Sequence, residues 1–298
     1  MRSVLTVIGA PGSRALDGGA IDAARAALAE SGARAGAPRW LDPAHACDIP
    51  FQGAPREAVE AAVRDRLAGL AVDVATQDSE GRRKALLVAD MESTIIGQEL
   101  LDELADIAGI GARIAAITAR SMAGEMDFAA ALRARVRLLA GLREEALERV
   151  CARITLNPGA RTLVRTMRAH GAYTALVTGG FTHFAERVRR ACGFDEARGN
   201  RVVVADGALT GDVAEPILGR DSKRATLEEL AARRGLPREA ACAVGDGAND
   251  LSMIEGAGLG VAYRAKPVLR AAARFRVDHG DLTALLYLQG YRRAEFRG

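Results

Sequence analysis

Cysteine and histidine are scarce in this 298-residue chain, at four each. Cys47, Cys151, Cys192 and Cys242 stand far apart and form no CxxC pair, so neither a zinc-binding spacing nor a disulfide framework is expected. Cys242 sits inside an apolar run and reads as a small buried hydrophobe. Aromatic residues make up only 4% of the chain, and no basic-aromatic platform for stacking bases is visible. Charge of one sign is also lacking. The formal net charge is +3, and basic runs such as Arg187-Val188-Arg189-Arg190 read as solvated helix faces, so no nucleic-acid partner is expected. No apolar run approaches eighteen residues, which excludes a helix that crosses a membrane. Val4 to Ala10 is interrupted by Thr6 and Gly9 and lacks a small-residue cleavage pattern behind it. It reads as a first strand rather than a secretory leader, and cytoplasmic residence is expected.

What is present is the composition of an ordinary folded chain, 49% hydrophobic and 27% charged, long enough for two folded units. The chain is organised around Ala85-Leu86-Leu87-Val88-Ala89-Asp90-Met91-Glu92-Ser93-Thr94, an apolar run that ends in two carboxylates. Such a run fits a strand covered on both faces, which delivers Asp90 to the edge where open α/β sheets bind ligands. Tyr173 to Val177 is a second such strand. It ends in Thr178-Gly179-Gly180, one hydroxyl and bare backbone N–H groups that suit a phosphate. Lys223 stands where a helical pattern begins after Asp221-Ser222. Ala241 to Val244 is a third apolar strand, ending in Gly245-Asp246-Gly247-Ala248-Asn249-Asp250. Each motif alone is weak, since Gly-Gly and Asp-Gly are ordinary turn signals. Their order and spacing together carry the argument.

Asp90-x-Glu92-x-Thr94, Thr178-Gly179-Gly180, Lys223 and Gly245-Asp246-Gly247-x-Asn249-Asp250 resemble the four motifs of the haloacid dehalogenase-like superfamily of phosphohydrolases. Within it the chain is similar to the phosphoserine phosphatase family. The specific matches are Glu99, the run Phe128-(x)3-Leu132-Arg133-Ala134-Arg135-Val136, the loop Gly207-x-Leu209-Thr210-Gly211, and Asp246 to Met253. The resemblance covers roughly residues 83–286. It implies an aspartyl-phosphate mechanism with Asp90 as nucleophile, Glu92 as acid/base, and Mg2+ on the Asp90 carboxylate, the Glu92 main-chain carbonyl and Asp246. Asn249 and Asp250 would orient bound water and Lys223. Thr178, Gly179, Gly180 and Lys223 would hold the phosphoryl oxygens. Glu99 would meet a substrate ammonium, Arg135 would grip its carboxylate, and Phe128 and Met122 would cover phosphoserine from water. Taken by themselves, Glu99 and Arg135 are ordinary surface-helix charges, and Phe128 and Met122 ordinary core residues.

Glu92 departs from the family pattern, which has aspartate two residues after the nucleophile. Glutamate keeps the chemistry but adds a methylene, and ~1 Å of misplacement costs on the order of 10²-fold in rate. Some relatives that transfer phosphate to an alcohol also carry glutamate here. A phosphotransferase, a phosphatase for another small phosphomonoester, and a non-catalytic amino-acid sensor are therefore the alternatives. A P-type ATPase shares the nucleophile logic, but the chain lacks the membrane helices.

Residues 1–80 read as strand, helix, two short strands, helix and strand, a small α+β ferredoxin-like order similar to an ACT-type domain, with amino-acid sensing and homodimer formation both open. Glu80-Gly81-Arg82-Arg83-Lys84 is a charged break that sets the boundary. Residues 84–298 read as a Rossmann-like parallel sheet with helices on both faces, interrupted at about 97–156 by a helical insert. The resemblance implies that this insert is a cap over the active site.

Overall fold

The computed structural model describes residues 2–13, 15–122 and 125–298, with Met122 described in its backbone alone. The first segment is β1 (Ser3–Gly9), α1 (Gly18–Glu30), β2 (Arg34–Ala35), β3 (Arg39–Asp42), β4 (Ala46–Gln52), α2 (Arg56–Arg66) and β5 (Val72–Asp78). Asp17 caps α1 by accepting the Ala20 N–H at 2.8 Å, a contact worth about 1 kcal/mol. The strands form an antiparallel sheet in the order β2-β4-β1-β5, with β3 also on β4. This is the strand order of a ferredoxin-like unit, with β2 as an extra short strand.

β1 is buried along nearly its whole length because both of its faces are covered. Leu5 and Val7 pack with Ile21, Ala24, Val59 and Val63 of α1 and α2. Ile8, with Leu41, Ala46 and Ala75, instead joins the core of the second half of the chain. The charged break between β5 and β6 (Leu86–Ala89) is not wholly solvated. Arg82 is mostly covered there and donates to Asp48, Tyr287 O and Leu288 O, because those oxygens need a donor where the two units meet.

After β6 the chain makes one irregular turn over Met91–Ile95, with Ser93 at φ 54. The helical insert follows as α3 (Leu100–Ile107), α4 (Gly111–Met122), α5 (Phe128–Arg137) and α6 (Glu145–Cys151). Among the described residues the insert is thus four helices. The insert enters and leaves through a narrow neck, where Ile96 and Leu156 form an antiparallel bridge. Asn157 donates there to Thr94 O at 2.7 Å and to Ile96 O at 3.2 Å.

The core resumes with α7 (Ala160–Ala169), β7 (Tyr173–Phe181), α8 (Thr182–Cys192) and β8 (Glu196–Asn200). The hairpin β9 (Val202–Ala205) and β10 (Ala208–Val213) leans against the insert through an Arg143–Ala208 bridge. Then come α9 (Arg220–Arg233), β11 (Ala241–Gly245), α10 (Leu251–Gly256), β12 (Leu259–Tyr263), α11 (Pro267–Ala272), β13 (Phe275–Val277) and α12 (Ala284–Leu288). Six strands form a wholly parallel sheet in the order β13-β12-β11-β6-β7-β8. Its central strands are apolar throughout because helices cover both sides. Leu87 and Ala89 of β6 face one core with Cys242 and Val244 of β11. Leu86 and Val88 face the other with Ala241 and Ala243. The chain leaves β6 toward β7 on one side and returns to β11 on the other. The carboxyl ends of β6 and β11 therefore flank the switch point, the crevice such sheets open to a ligand.

Candidate functional site

Asp90 is the first residue past β6, and Asp246 the first past β11. The parallel register that pairs Ala89 with Val244 sets their side chains on one rim. Asp90, Asp246 and Asp250 bring carboxylate oxygens within 4.8 Å of one another, all three buried. Lys223, in the first turn and a half of α9, lies between them: its Nζ is 2.6 Å from Asp90 Oδ1 and 2.5 Å from Asp250 Oδ1. The other Asp250 oxygen accepts the Asp246 and Gly247 N–H groups at 3.1 and 3.0 Å. A side chain at Gly245 would collide with Asp250, its Cβ falling 2.4 Å from the carboxyl carbon, so only glycine lets this carboxylate fold back under the turn.

The charges are unbalanced. Burial raises the Asp90 carboxyl well above the usual range, and Asp250 adds to the shift, with Lys223 only partly opposing it. Burial alone would depress the Lys223 ammonium, but Asp90 and Asp250 outweigh it and hold the cation firmly charged. Lys223, even with Lys266 Nζ 3.1 Å from Asp246 Oδ2, does not neutralise three neighbouring carboxylates. The cluster is a hard, all-oxygen donor set with an excess of negative charge, which fits a divalent cation such as Mg2+. Glu92 contributes no side-chain oxygen to this trio.

Instead the Glu92 side chain turns toward β7. Its Oε2 accepts from Thr178 Oγ1 at 3.3 Å, and its Oε1 accepts the Leu100 N–H at 3.0 Å. Burial, reinforced by nearby Glu99, pushes the Glu92 carboxyl up to about 7, the range of a group that both gives and takes protons at neutral pH. Thr178 Oγ1 in turn accepts the Gly180 N–H at 2.8 Å. Close approach explains the two glycines. A Cβ at Gly180 would sit 2.8 Å from Glu92 Oε2, and one at Gly179 would sit 2.9 Å from the Phe128 ring.

A cavity of about 440 Å³ opens over this rim, walled on one side by the strand ends and on the other by the insert. Asp90, Glu92, Thr178, Gly179, Gly180, Lys223, Asp246 and Asn249 line the core side. Glu99, Phe128 and Arg135 line the insert side. Arg133, two residues from Arg135, points away and pairs with Glu215 at 2.5 Å. Burial lowers the Arg135 guanidinium from its ordinary value, with Glu92, Asp102 and Glu99 opposing the shift. Asn249 leans on Asp250 at 3.4 Å. Of the residues singled out in the sequence, the Met122 side chain lies outside the described residues.

Three contributors escaped the sequence reading. Lys266 places its Nζ 3.1 Å from Asp246 Oδ2 and 3.9 Å from Glu99, bridging core and insert. Its only sequence signal is its place just before Pro267, the first residue of α11. Ser93 donates to Glu99 at 2.7 Å, from a left-handed conformation that no spacing announces. Buried Asn200 donates to Gly179 O and Leu218 O and accepts the Leu218 N–H, which fixes the phosphate-suited turn from behind.

The model of the haloacid dehalogenase-like hydrolases matches residues 87–255, a span that contains Asp90, Glu92, Thr178, Lys223 and Asp246. A phosphoserine phosphatase of Streptomyces coelicolor is 40% identical over 298 residues, covering 99% of this chain and 72% of that one. A phosphoserine phosphatase of Streptococcus thermophilus is 43% identical over 199 residues, covering 67% of this chain and 93% of that one. Among solved structures, a probable phosphoserine phosphatase from Vibrio cholerae superposes with a TM-score of 0.80 at 29% identity, covering 99% of this chain and 88% of that one. The chain belongs to the haloacid dehalogenase-like hydrolases, in the family of the phosphoserine phosphatases.

Proposed function

We propose that this protein is a Mg2+-dependent phosphoserine phosphatase that converts O-phospho-L-serine and water to L-serine and phosphate. The observation that carries the reading is a single cavity whose core side holds Asp90 beside Lys223 and whose insert side presents Glu99 and Arg135. The ammonium and carboxylate of an amino acid match Glu99 and Arg135, and its phosphate matches the core side once a divalent cation offsets the excess carboxylate charge there. The family likeness supports the same substrate.

Thr178, the Gly179 and Gly180 amides and Lys223 hold the phosphoryl oxygens. Arg135 takes the substrate carboxylate and Glu99 its ammonium, so the phosphorus is aligned with Asp90. Asp90 attacks phosphorus, an oxygen–phosphorus bond forms, and the bond to the serine oxygen breaks. Glu92 gives its proton to that departing oxygen. In the second half Glu92 takes a proton from water as the water attacks the aspartyl-phosphate, and the Asp90 oxygen–phosphorus bond breaks. Asp90, Asp246 and the Glu92 main-chain carbonyl would hold Mg2+, with Asp250 keeping Lys223 in place. When bound, the cation supplies the positive charge that lets a carboxylate approach a phosphate dianion.

The reading is tested by phosphate release from L-phosphoserine with Mg2+, beside Asp90→Asn and a panel of other phosphomonoesters, with and without homoserine as acceptor. It requires selective turnover that vanishes in the variant. Preferential transfer to homoserine would replace it with a phosphotransferase, and serine binding without phosphate release would replace it with a sensor.

A further inference from the structure

Among the described residues a second group of metal-ligating side chains lies outside the cavity: Glu148 and Cys151 on α6 and His183 on α8. Three residues apart on one helix, Glu148 and Cys151 share a face, and that face packs on α8. Their ligand atoms, with the His183 ring nitrogen, all lie within 4.8 Å of one another. Glu148 Oε1 and His183 Nε2 already meet at 2.9 Å. Cys151 is buried at 7% exposure, His183 is 31% exposed at its side chain, and Glu148 is 69% exposed. The set is graded from a sheltered sulfur to an open carboxylate, which leaves a side for entry and for a fourth, water ligand.

The donor chemistry differs from that of the cavity. Thiolate, imidazole and carboxylate suit a cation of the zinc class, whereas the all-oxygen trio suits a hard ion. The sequence argued against such a site because only local spacing is visible there, and Cys151 and His183 meet solely through the packing of the insert on the core. We propose that Glu148, Cys151 and His183 form a binding site for a zinc-class divalent cation that fastens α6 of the insert to α8 of the core. α8 begins directly after the Gly179-Gly180 turn, so a cation here restrains the insert relative to the phosphate-holding turn. On binding, the Cys151 thiol releases its proton to solvent and the sulfur bonds the metal. Burial and Glu148 raise that thiol, while Arg187 and Arg190 draw it down, so uptake weakens as pH falls.

Cobalt(II) is the probe, because a cysteine thiolate bound to it gives a near-ultraviolet charge-transfer band. The full chain, with Mg2+ present, is titrated beside Cys151→Ser, His183→Ala and Asp246→Asn. The proposal requires a saturable band at one equivalent that is lost in Cys151→Ser and persists in Asp246→Asn. In His183→Ala affinity should fall by at least the about 10–100-fold that even an outer partner of a metal commands. Magnesium-supported phosphate release by Cys151→Ser and His183→Ala verifies that both fold, and Glu148→Gln, altered at an exposed position, is the fallback for either. No band in the unaltered chain overturns the proposal. So does a band unchanged in His183→Ala, or one that disappears in Asp246→Asn.

Discussion

Glu92 shows how a single residue ties chemistry to architecture. With one oxygen on Thr178 and the other on the Leu100 N–H at the start of α3, the carboxyl touches both the phosphate-suited turn and the insert. The longer side chain spans that gap. Its elevated pKa fixes the pH behaviour. Below about 7 the group carries the proton that the leaving alcohol needs, and above it the group is ready to accept one from water. In single-turnover experiments, phosphoryl transfer to Asp90 should slow as pH rises through about 7, while hydrolysis of the intermediate should accelerate. Glu92→Gln should lose about 10²–10⁴-fold in turnover and the inflection near 7 with it; a variant that keeps the inflection would assign it to another group. Stability follows the same titration. The folded state binds the Glu92 proton more tightly than the unfolded state, so this group's contribution falls as pH rises from 4.5 to about 7. Denaturant unfolding should show Glu92→Gln gaining on the unaltered chain across that window.

Lys223 makes the complementary prediction. It is 3% exposed between Asp90 and Asp250, and removing it strands two buried carboxylates. Metal-free Lys223→Met should lose about 3–5 kcal/mol in urea unfolding, and added Mg2+ should restore part of the loss. Stability close to that of the unaltered chain without metal would mean that the charge cluster relaxes far more than its geometry suggests.

At the scale of elements, the site depends on strand ends packed too closely for a side chain at Gly180 and Gly245. Gly180→Ala puts a methyl 2.8 Å from Glu92 Oε2, the movable end of a side chain, so it should displace the acid/base and lower kcat with little loss of stability. Gly245→Ala meets the Asp250 carboxyl carbon at 2.4 Å beneath a buried turn and should damage folding and turnover together. Thermal unfolding and steady-state kinetics on the pair separate the two effects. The strands that carry these glycines were legible because β6 and β11 are covered on both faces and so are apolar end to end, and β7 is apolar apart from its threonines. Asp90 and Asp246 were legible for the same reason, each being the first polar residue beyond such a run, and Thr178 by the two glycines that follow it. The edge elements were not. β8, with Glu196, Arg198 and Asn200, is only half-buried and carries no apolar run. β2 and β13 are two and three residues long. Lys266 and Asn200 act through contacts with segments far along the chain, and local spacing does not encode those.

At the scale of the whole molecule, the antiparallel sheet and the parallel-sheet core share one apolar cluster and a set of buried ionic contacts. Arg82 and Asp48 pair at 2.5 Å with exposures of 10% and 8%, and Asp73 accepts the N–H groups of Asp278, His279 and Gly280. We infer that residues 1–80 and 84–298 are separate domains locked by these contacts. The single tryptophan, Trp40, lies on β3 and reports on the first of them. Its fluorescence and the far-ultraviolet circular dichroism should trace one unfolding curve in the unaltered chain and two in Arg82→Ala, which leaves Asp48 buried without its partner. Coincident curves in the variant would show that the apolar contacts alone hold the units together.

The central claim is that Asp90 receives the phosphoryl group. It is tested most directly by mixing the Mg2+-loaded protein with phosphoserine, quenching in acid within the first turnover, and locating phosphate by peptide mass spectrometry. The account predicts one phosphoryl group on Asp90, absent in Asp90→Asn. Phosphate on another residue, or full turnover with no phosphorylated peptide, would contradict it.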